Sequence, residues 1–279
     1  MIIITPYRPI EHKLTTCNYS SSWFFPMIKT KLHSTFSKLI TLDGSPTLIS
    51  NEAQGVHEPM HNMKGAFSET IYVYERPLLQ GLNYAESTFA VLSLGLGLGY
   101  NEILCAGVFL LHEKRTSTAN FIKNVYLKSF EINRLLRESF LFWVQDKYSE
   151  FNSIYSEIAH LMALRYDIPE QEIKSLLGLW YDKGDWELCG KFPDELTQRD
   201  RFNVILYDAY SSRTHPEVWD EDFLDHFLRA HAMDQCSLGT YAAKGSLKRA
   251  LLANQFHVEQ PKGFGGKRSC TYATRKNRD

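Results

Sequence analysis

Residues 89–104 read Phe-Ala-Val-Leu-Ser-Leu-Gly-Leu-Gly-Leu-Gly-Tyr-Asn-Glu-Ile-Leu. Six residues without a charge, Phe89 to Leu94, have the length and composition of a buried parallel strand. Gly95, Gly97 and Gly99 follow at once, and Tyr100 to Leu104 open a helix. A strand, a glycine turn and a helix in that order bring backbone amides to a ligand at a helix amino end. The spacing is GxGxG; the third glycine falls one residue early for the GxGxxG of dinucleotide binders.

Outward from this stretch, strands and helices alternate. Val125–Phe130 is a second strand ending at Glu131, and Phe202–Tyr207 a third ending at Asp208. The tail predicts helix 216–231, strand 237–243, helix 246–253 and strand 255–260. Between the second and third strands, residues 132–178 read as helices, with Leu135, Leu136, Phe140 and Trp143 on one face and Ile154, Ile158, Leu161 and Leu164 on another. Upstream, two short strands flank the Asp43-Gly44 turn, and a helix starts near Gly65. Such alternation specifies an α/β fold around a mostly parallel sheet. The expected organisation is a loosely ordered lead-in over 1–38, with Met27 an alternative start, and one domain over 39–279 carrying a helical insertion at about 132–178.

Composition bounds the function. The 279 residues are 44% apolar and 23% charged, with a net charge of -1, so no global field favours a polyanion or a membrane. The charge is uneven: nine basic and two acidic residues lie between Lys244 and Asp279, just after an acidic cluster of Glu217, Asp220, Glu221, Asp222 and Asp225. This is either a polyanion-binding edge or two solvated faces. The five cysteines are scattered without metal-ligand spacing, so neither a metal nor a disulfide framework is expected. There is no apolar run of membrane-spanning length, and the N-terminus is unlike a signal peptide. The expected location is the cytoplasm.

Ligands of open parallel sheets bind at the carboxyl ends of the strands. There Glu131 can accept hydrogen bonds from ribose hydroxyls or simply favour a helix amino end. Asp208 ends a strand whose Ile205 and Leu206 read as fully buried, where a carboxylate is costly unless it faces a site or caps a turn. Gly184-Asp185-Trp186, placed after a strand at Leu179–Tyr181, offers an acceptor for an adenine amino group and a ring to stack on it; a turn with a packed Trp fits equally.

The sequence resembles the MnmC-like methyltransferase family from about residue 39 to 275. The resemblance rests on LDGSPTL (42–48), GAFSETIYVYE (65–75), VLSLGLGLGYNEIL (91–104), GD (184–185), DAYSSRTHPEVW (208–219), GTYAAKGSLKRAL (239–251) and GFGGKR (263–268). It implies a Rossmann-like fold binding S-adenosylmethionine (SAM). Gly95, Gly97 and Gly99 would hold the methionine end, Glu131 the ribose, and Asp185 with Trp186 the adenine; Glu69 would lie by the pocket. Asp208 would face the amine to be methylated, Tyr210 and Trp219 would wall the pocket, and Lys244, Lys267 and Arg268 would meet RNA. The family's reaction converts 5-aminomethyluridine at tRNA wobble position 34 into 5-methylaminomethyluridine, so the implied partner is the tRNA anticodon region. Many members carry an FAD oxidase half; none is expected in this chain, hence no flavin. Ser93 departs from the pattern, standing where many SAM enzymes place an acid. The other readings are methyl or aminopropyl transfer to a small amine, a noncatalytic SAM- or tRNA-binding module and, disfavoured by the glycine spacing, a nicotinamide oxidoreductase.

Overall fold

The computed structural model describes residues 29–51, 58–116, 122, 124–209 and 215–276. Its centre is a seven-stranded sheet. β4 (Thr88–Leu94), β5 (Asn124–Phe130), β6 (Trp186–Cys189), β7 (Phe202–Tyr207) and β8 (Ala232–Thr240) run parallel. β10 (Thr271–Arg275) is antiparallel to both β8 and β9 (His257–Glu259). The spatial order is β6-β5-β4-β7-β8-β10-β9. The chain builds outward from β4 to β6 and then returns to β4's other side as β7. That reversal opens a crevice at the carboxyl ends of β4 and β7.

Alternation along β4 divides the core. Phe89 and Val91 face one layer, formed with α3 (Tyr100–Arg115), α4 (Arg134–Val144), α5 (Asn152–Tyr166) and α6 (Glu170–Lys183). Ala90, Leu92 and Leu94 face the other, formed with α7 (Glu221–His231) and α8 (Gly245–Ala253). Helices on both faces explain why β4 and β7 have no exposed polar face. Asn203 ties β7 to β4: its Oδ1 accepts from the Ala90 amide at 2.9 Å, and its Nδ2 donates to the Thr88 carbonyl at 3.0 Å.

A three-stranded antiparallel sheet, β1 (Lys29–Lys31), β2 (Phe36–Ile40) and β3 (Pro46–Ser50), packs against the start of α3 and against α5, where the Tyr100 hydroxyl donates to the Pro46 carbonyl at 2.7 Å. The expected pair of strands around Asp43-Gly44 is present. The lead-in reading fails for 29–38, which form β1 and the start of β2; the remainder, including Met27, lies outside the described residues.

The β2–β3 turn also sets the next helix. Asp43 Oδ2 accepts from the Ser68 amide at 2.9 Å, and Ser45 Oγ accepts from the Ala66 and Phe67 amides. These contacts satisfy the free N–H groups of α1 (Ala66–Thr70). Burial raises the Asp43 pKa, but hydrogen bonds from Ser45, Thr41 and Ser68 outweigh it and hold the carboxyl below its ordinary value. α1 continues through a π turn, Ile71–Glu75, into α2 (Arg76–Tyr84). The wide turn leaves Glu69 and Tyr74, five residues apart, both buried.

Two local expectations are corrected. Leu179–Tyr181 belongs to α6, because Ile173, Leu177 and Trp180 recur at helical spacing and are buried together. Gly184, at φ +74°, closes that helix, and the Asp185 amide returns to the Trp180 carbonyl at 2.8 Å. In α5 the buried face is Ile154, Tyr155, Ile158, Ala159 and Met162, while Leu164 is 69% exposed.

Candidate active site

The glycine turn sits at the crevice, and its three glycines do different things. The Gly95 and Leu96 amides donate to the Phe130 carbonyl at 2.9 and 3.1 Å, folding the turn over β5. A Cβ on Gly95 would lie 2.4 Å from the Asp208 carbonyl oxygen, so only glycine lets the ends of β4 and β7 close up. A Cβ on Gly99 would lie 2.2 Å from the Phe140 ring, which makes Gly99 a packing glycine. Gly97 alone faces open room: its Cβ would meet nothing nearer than 3.9 Å.

The Gly97 amide donates to Glu131 Oε2 at 3.0 Å, and the Asn133 amide to Oε1 at 2.8 Å. Glu131 is 2% exposed. A carboxylate at the end of β5, fixed by two amides beside an open glycine, is suited to a pair of vicinal hydroxyls. Next to it runs a cleft whose walls include Gly95, Ile132, Gly190, Lys191, Phe192, Ala209, His215 and Val218. Ile132 is 49% exposed there, an apolar side chain turned to solvent at the cleft mouth. Room above Gly97, a fixed acid and an apolar shelf fit a nucleoside-bearing cofactor such as SAM.

On the other side of the turn stands Asp208, half-buried at its surface but enclosed by protein on most sides. Burial pushes its carboxyl up to about 7; the Tyr74 hydroxyl and Asn101 oppose the rise, the Glu69 charge adds to it, and Lys267 lowers it. Asn101 Nδ2 donates to Asp208 Oδ2 at 3.3 Å. The Tyr74 hydroxyl lies close by, outside hydrogen-bond geometry, and together with Asn101 Oδ1 has no partner within the protein. Burial, then the nearby Asp208 charge, raises Tyr74 well above 10, so it remains a neutral donor. Glu69 Oε1 accepts from Lys267 Nζ at 2.8 Å, and Glu69 Oε2 from the Asn62 amide at 2.9 Å. Lys267 Nζ lies 4.7 Å from the centre of the Tyr241 ring, whose hydroxyl donates to the Ala209 carbonyl at 3.0 Å. The structure thus gathers Glu69, Asp208 and Lys267 from three distant segments, with Gly95, Gly97 and Glu131 adjoining.

A second buried acid lies on α3. Glu102 has neither oxygen in a hydrogen bond, and burial pushes it up to about 7, offset by the Ser93 and Ser129 hydroxyls against it. Where an acid was looked for on the strand, Ser93 stands instead, and the carboxyl arrives from the helix.

Other expected site residues fall elsewhere. Trp186 opens β6 and pairs with Leu127, at the amino side of the sheet away from the glycine turn. It is 2% exposed, donates from Nε1 to Ser129 Oγ at 3.1 Å and packs against Phe140. Asp185 immediately precedes it, so neither reaches the carboxyl edge; the residues that do are Gly190, Lys191 and Phe192 at the end of β6. Trp219, 4% exposed, packs edge-on against Tyr207 in the second core layer instead of walling a pocket. Tyr210 lies outside the described residues. Lys244 and Arg268 are exposed. Sequence reading missed Tyr74, Asn101, Glu102 and Tyr241. Asn101 and Glu102 had a signal: polar residues in the first turn of a helix that is uncharged from Ile103 to Leu111. Tyr74 and Tyr241 had none, since tyrosine is ordinary in a core. Among the described residues there is no cluster able to hold a metal and no helix long and apolar enough to cross a membrane.

A family described as S-adenosyl-L-methionine-dependent methyltransferase matches residues 186–276. The tRNA 5-methylaminomethyl-2-thiouridine biosynthesis bifunctional protein MnmC of Idiomarina loihiensis is 27% identical over 188 residues, covering 66% of this chain and 29% of that protein. An uncharacterised protein of Methanocaldococcus jannaschii is 26% identical over 234 residues, 84% of this chain and 58% of its own length. The crystal structure of MnmC2 from Aquifex aeolicus shares the fold, with a TM-score of 0.59 at 22% identity over 90% of this chain and 75% of that one. The chain spans less than a third of the Idiomarina protein. A profile matching residues 186–276, related sequences and a shared fold make this chain similar to the SAM-dependent methyltransferases of the MnmC-like kind.

Proposed function

We propose that the chain methylates the amine of 5-aminomethyl-(2-thio)uridine at wobble position 34 of tRNA, giving the 5-methylaminomethyl product, and that it does so in the cytoplasm. The observation that carries this reading is Asp208: a carboxylate at the crevice, raised to about 7 and flanked by the unpartnered Tyr74 hydroxyl and Asn101 Oδ1. The MnmC name of the relatives supplies the substrate class.

Bound SAM supplies an electrophilic methyl group on a sulfonium. The protein's task is to present a neutral amine in line with it, since positioning can lower the barrier by up to ~7–11 kcal/mol. An alkylammonium near pKa ~10 loses its proton to an acid near 7 at a cost of roughly 4 kcal/mol, against roughly 8 for an ordinary aspartate. Burial of Asp208 therefore removes nearly half of the unfavourable transfer. Asn101 Nδ2 fixes which carboxyl oxygen is free to take the proton. Tyr74 stays protonated and faces the same space. Glu131, fixed by the Gly97 amide, would accept from the cofactor's hydroxyls, and Ile132 and Phe192 would offer it an apolar shelf. The exposed cations Lys64, Lys244, Lys262 and Arg268 meet phosphates outside.

The deciding experiment is transfer of labelled methyl from SAM to tRNA from cells lacking this modification, followed by nucleoside analysis. Label in 5-methylaminomethyl-type uridine is expected. SAM binding without label in any nucleoside would move the substrate to a small amine or leave a binding role.

A further inference from the structure

The Lys267 ammonium occupies a position built for an alkylammonium. Its Nζ donates to Glu69 Oε1 at 2.8 Å and stands 4.7 Å from the centre of the Tyr241 ring. A carboxylate and an aromatic face together are a common recognition unit for amine cations. The unit adjoins the reaction centre: Tyr241 is anchored on the carbonyl of Ala209, the residue after Asp208. The occupant is chemically a primary alkylammonium, like the group proposed for methylation. It arrives on the glycine-rich turn 263–266, on which Gly265 and Gly266 have positive φ, and its side chain is 42% exposed. A lysine stem half in water is within reach of a phosphate, whereas its partner Glu69 is buried and held by the Asn62 amide.

Resting on the function proposed above, we propose that Lys267 is an internal occupant of the amine site, withdrawn by a phosphate of the RNA substrate. The site then opens to an amine carried on a polyanion and stays closed to free small amines. This assigns Lys267 a part in specificity beyond simple charge attraction: it links phosphate binding to exposure of Glu69 and the Tyr241 ring. Removing the lysine should weaken use of tRNA yet strengthen use of the free nucleoside, a crossing of effects that loss of packing would not produce.

The test uses the full chain loaded with S-adenosylhomocysteine and measures calorimetric binding of 5-aminomethyluridine and of n-propylammonium to wild type, Lys267→Met and Lys267→Arg. Binding of both probes is expected to tighten at least tenfold in Lys267→Met and to stay at the wild-type level in Lys267→Arg, with S-adenosylhomocysteine affinity held. Methyl transfer to the free nucleoside should rise at least tenfold in kcat/KM in the same variant, and Lys267→Gln gives the same reading should the Met variant fail to fold. Unchanged or weaker probe binding in a folded variant overturns the proposal. Wild type that labels no tRNA overturns the proposed function instead, and the n-propylammonium titration separates the two failures.

Discussion

Asp208, half-buried, and Glu102, fully buried, are both acids pushed up to about 7, but they differ in what surrounds them. Asp208 faces the crevice with Asn101 and Tyr74 around it; Glu102 is sealed beneath the glycine turn against Ser93 and Ser129. Asp208→Asn removes the proton acceptor and keeps the shape. Its kcat is expected to fall about 10²–10⁴-fold, the usual worth of a general base, with the SAM dissociation constant within threefold of wild type by calorimetry. Only the deprotonated carboxylate accepts a proton, so wild-type kcat/KM should rise with pH through about 7. A variant retaining full turnover removes Asp208 from the chemistry. For Glu102 the consequence is stability. A folded pKa above the unfolded one means that stability is greatest below the unfolded pKa and is lost as pH rises through the folded value. With 4.5 rising to about 7, Glu102→Gln should therefore stabilise the protein at pH 8 by up to about 3 kcal/mol and leave pH 4 stability nearly unchanged. Denaturant unfolding at the two pH values reads this directly; equal shifts at both would contradict it.

The element that fixes the site is the β4–turn–α3 unit. Its start was legible because a fully buried strand has no polar face, so its sequence carries no alternation to confuse. The carboxyl edge was legible at Asp208 because it is the first charge after an uncharged strand, and at Glu131 because an acid closes the strand that ends in Phe130. α6 was misread locally, since Leu-Trp-Tyr suits a strand as well as a helix, and only the burial of Trp180 with Ile173 and Leu177 decides. That error carried Asp185 and Trp186 to the wrong end of β6. Gly99 tests the element. Gly99→Ala forces a Cβ against the Phe140 ring in a left-handed backbone, a clash costing roughly 1–3 kcal/mol plus about 1–2 for the conformation. Thermal unfolding should show a drop of several degrees, and SAM affinity should fall as α3 shifts. A variant as stable as wild type would show that Phe140 yields freely.

Across the whole molecule, the near-neutral net charge conceals a polar arrangement. Lys262 and Arg268 flank the 264–266 turn, Lys64 lies beside it with its Nζ 3.5 Å from where a Gly266 Cβ would be, and Lys244 precedes α8 at the same carboxyl edge of the sheet. The acidic stretch 217–225 is partly neutralised within the fold, by Arg229 on Asp225 and Arg249 on Glu221. If RNA lies on the cationic edge, its affinity should fall steeply with salt, and Lys244→Ala and Arg268→Ala should each reduce the log–log slope by about 1. Filter binding across a salt series measures it, and a flat response would remove RNA from this edge.

The sequence by itself determined the parallel α/β sheet, the glycine turn and the two strand-end acids, because each is a local pattern: apolar runs, a missing Cβ, a charge at a boundary. The tertiary structure decided which distant side chains meet. Glu69 and Lys267 are 198 positions apart and form one ion pair, Asn101 orients Asp208 across 107, and Trp219 goes to the core although its neighbours line the cleft. Such pairings depend on the order of strands in the sheet and on how helices cover it, and no local pattern in the chain encodes that order.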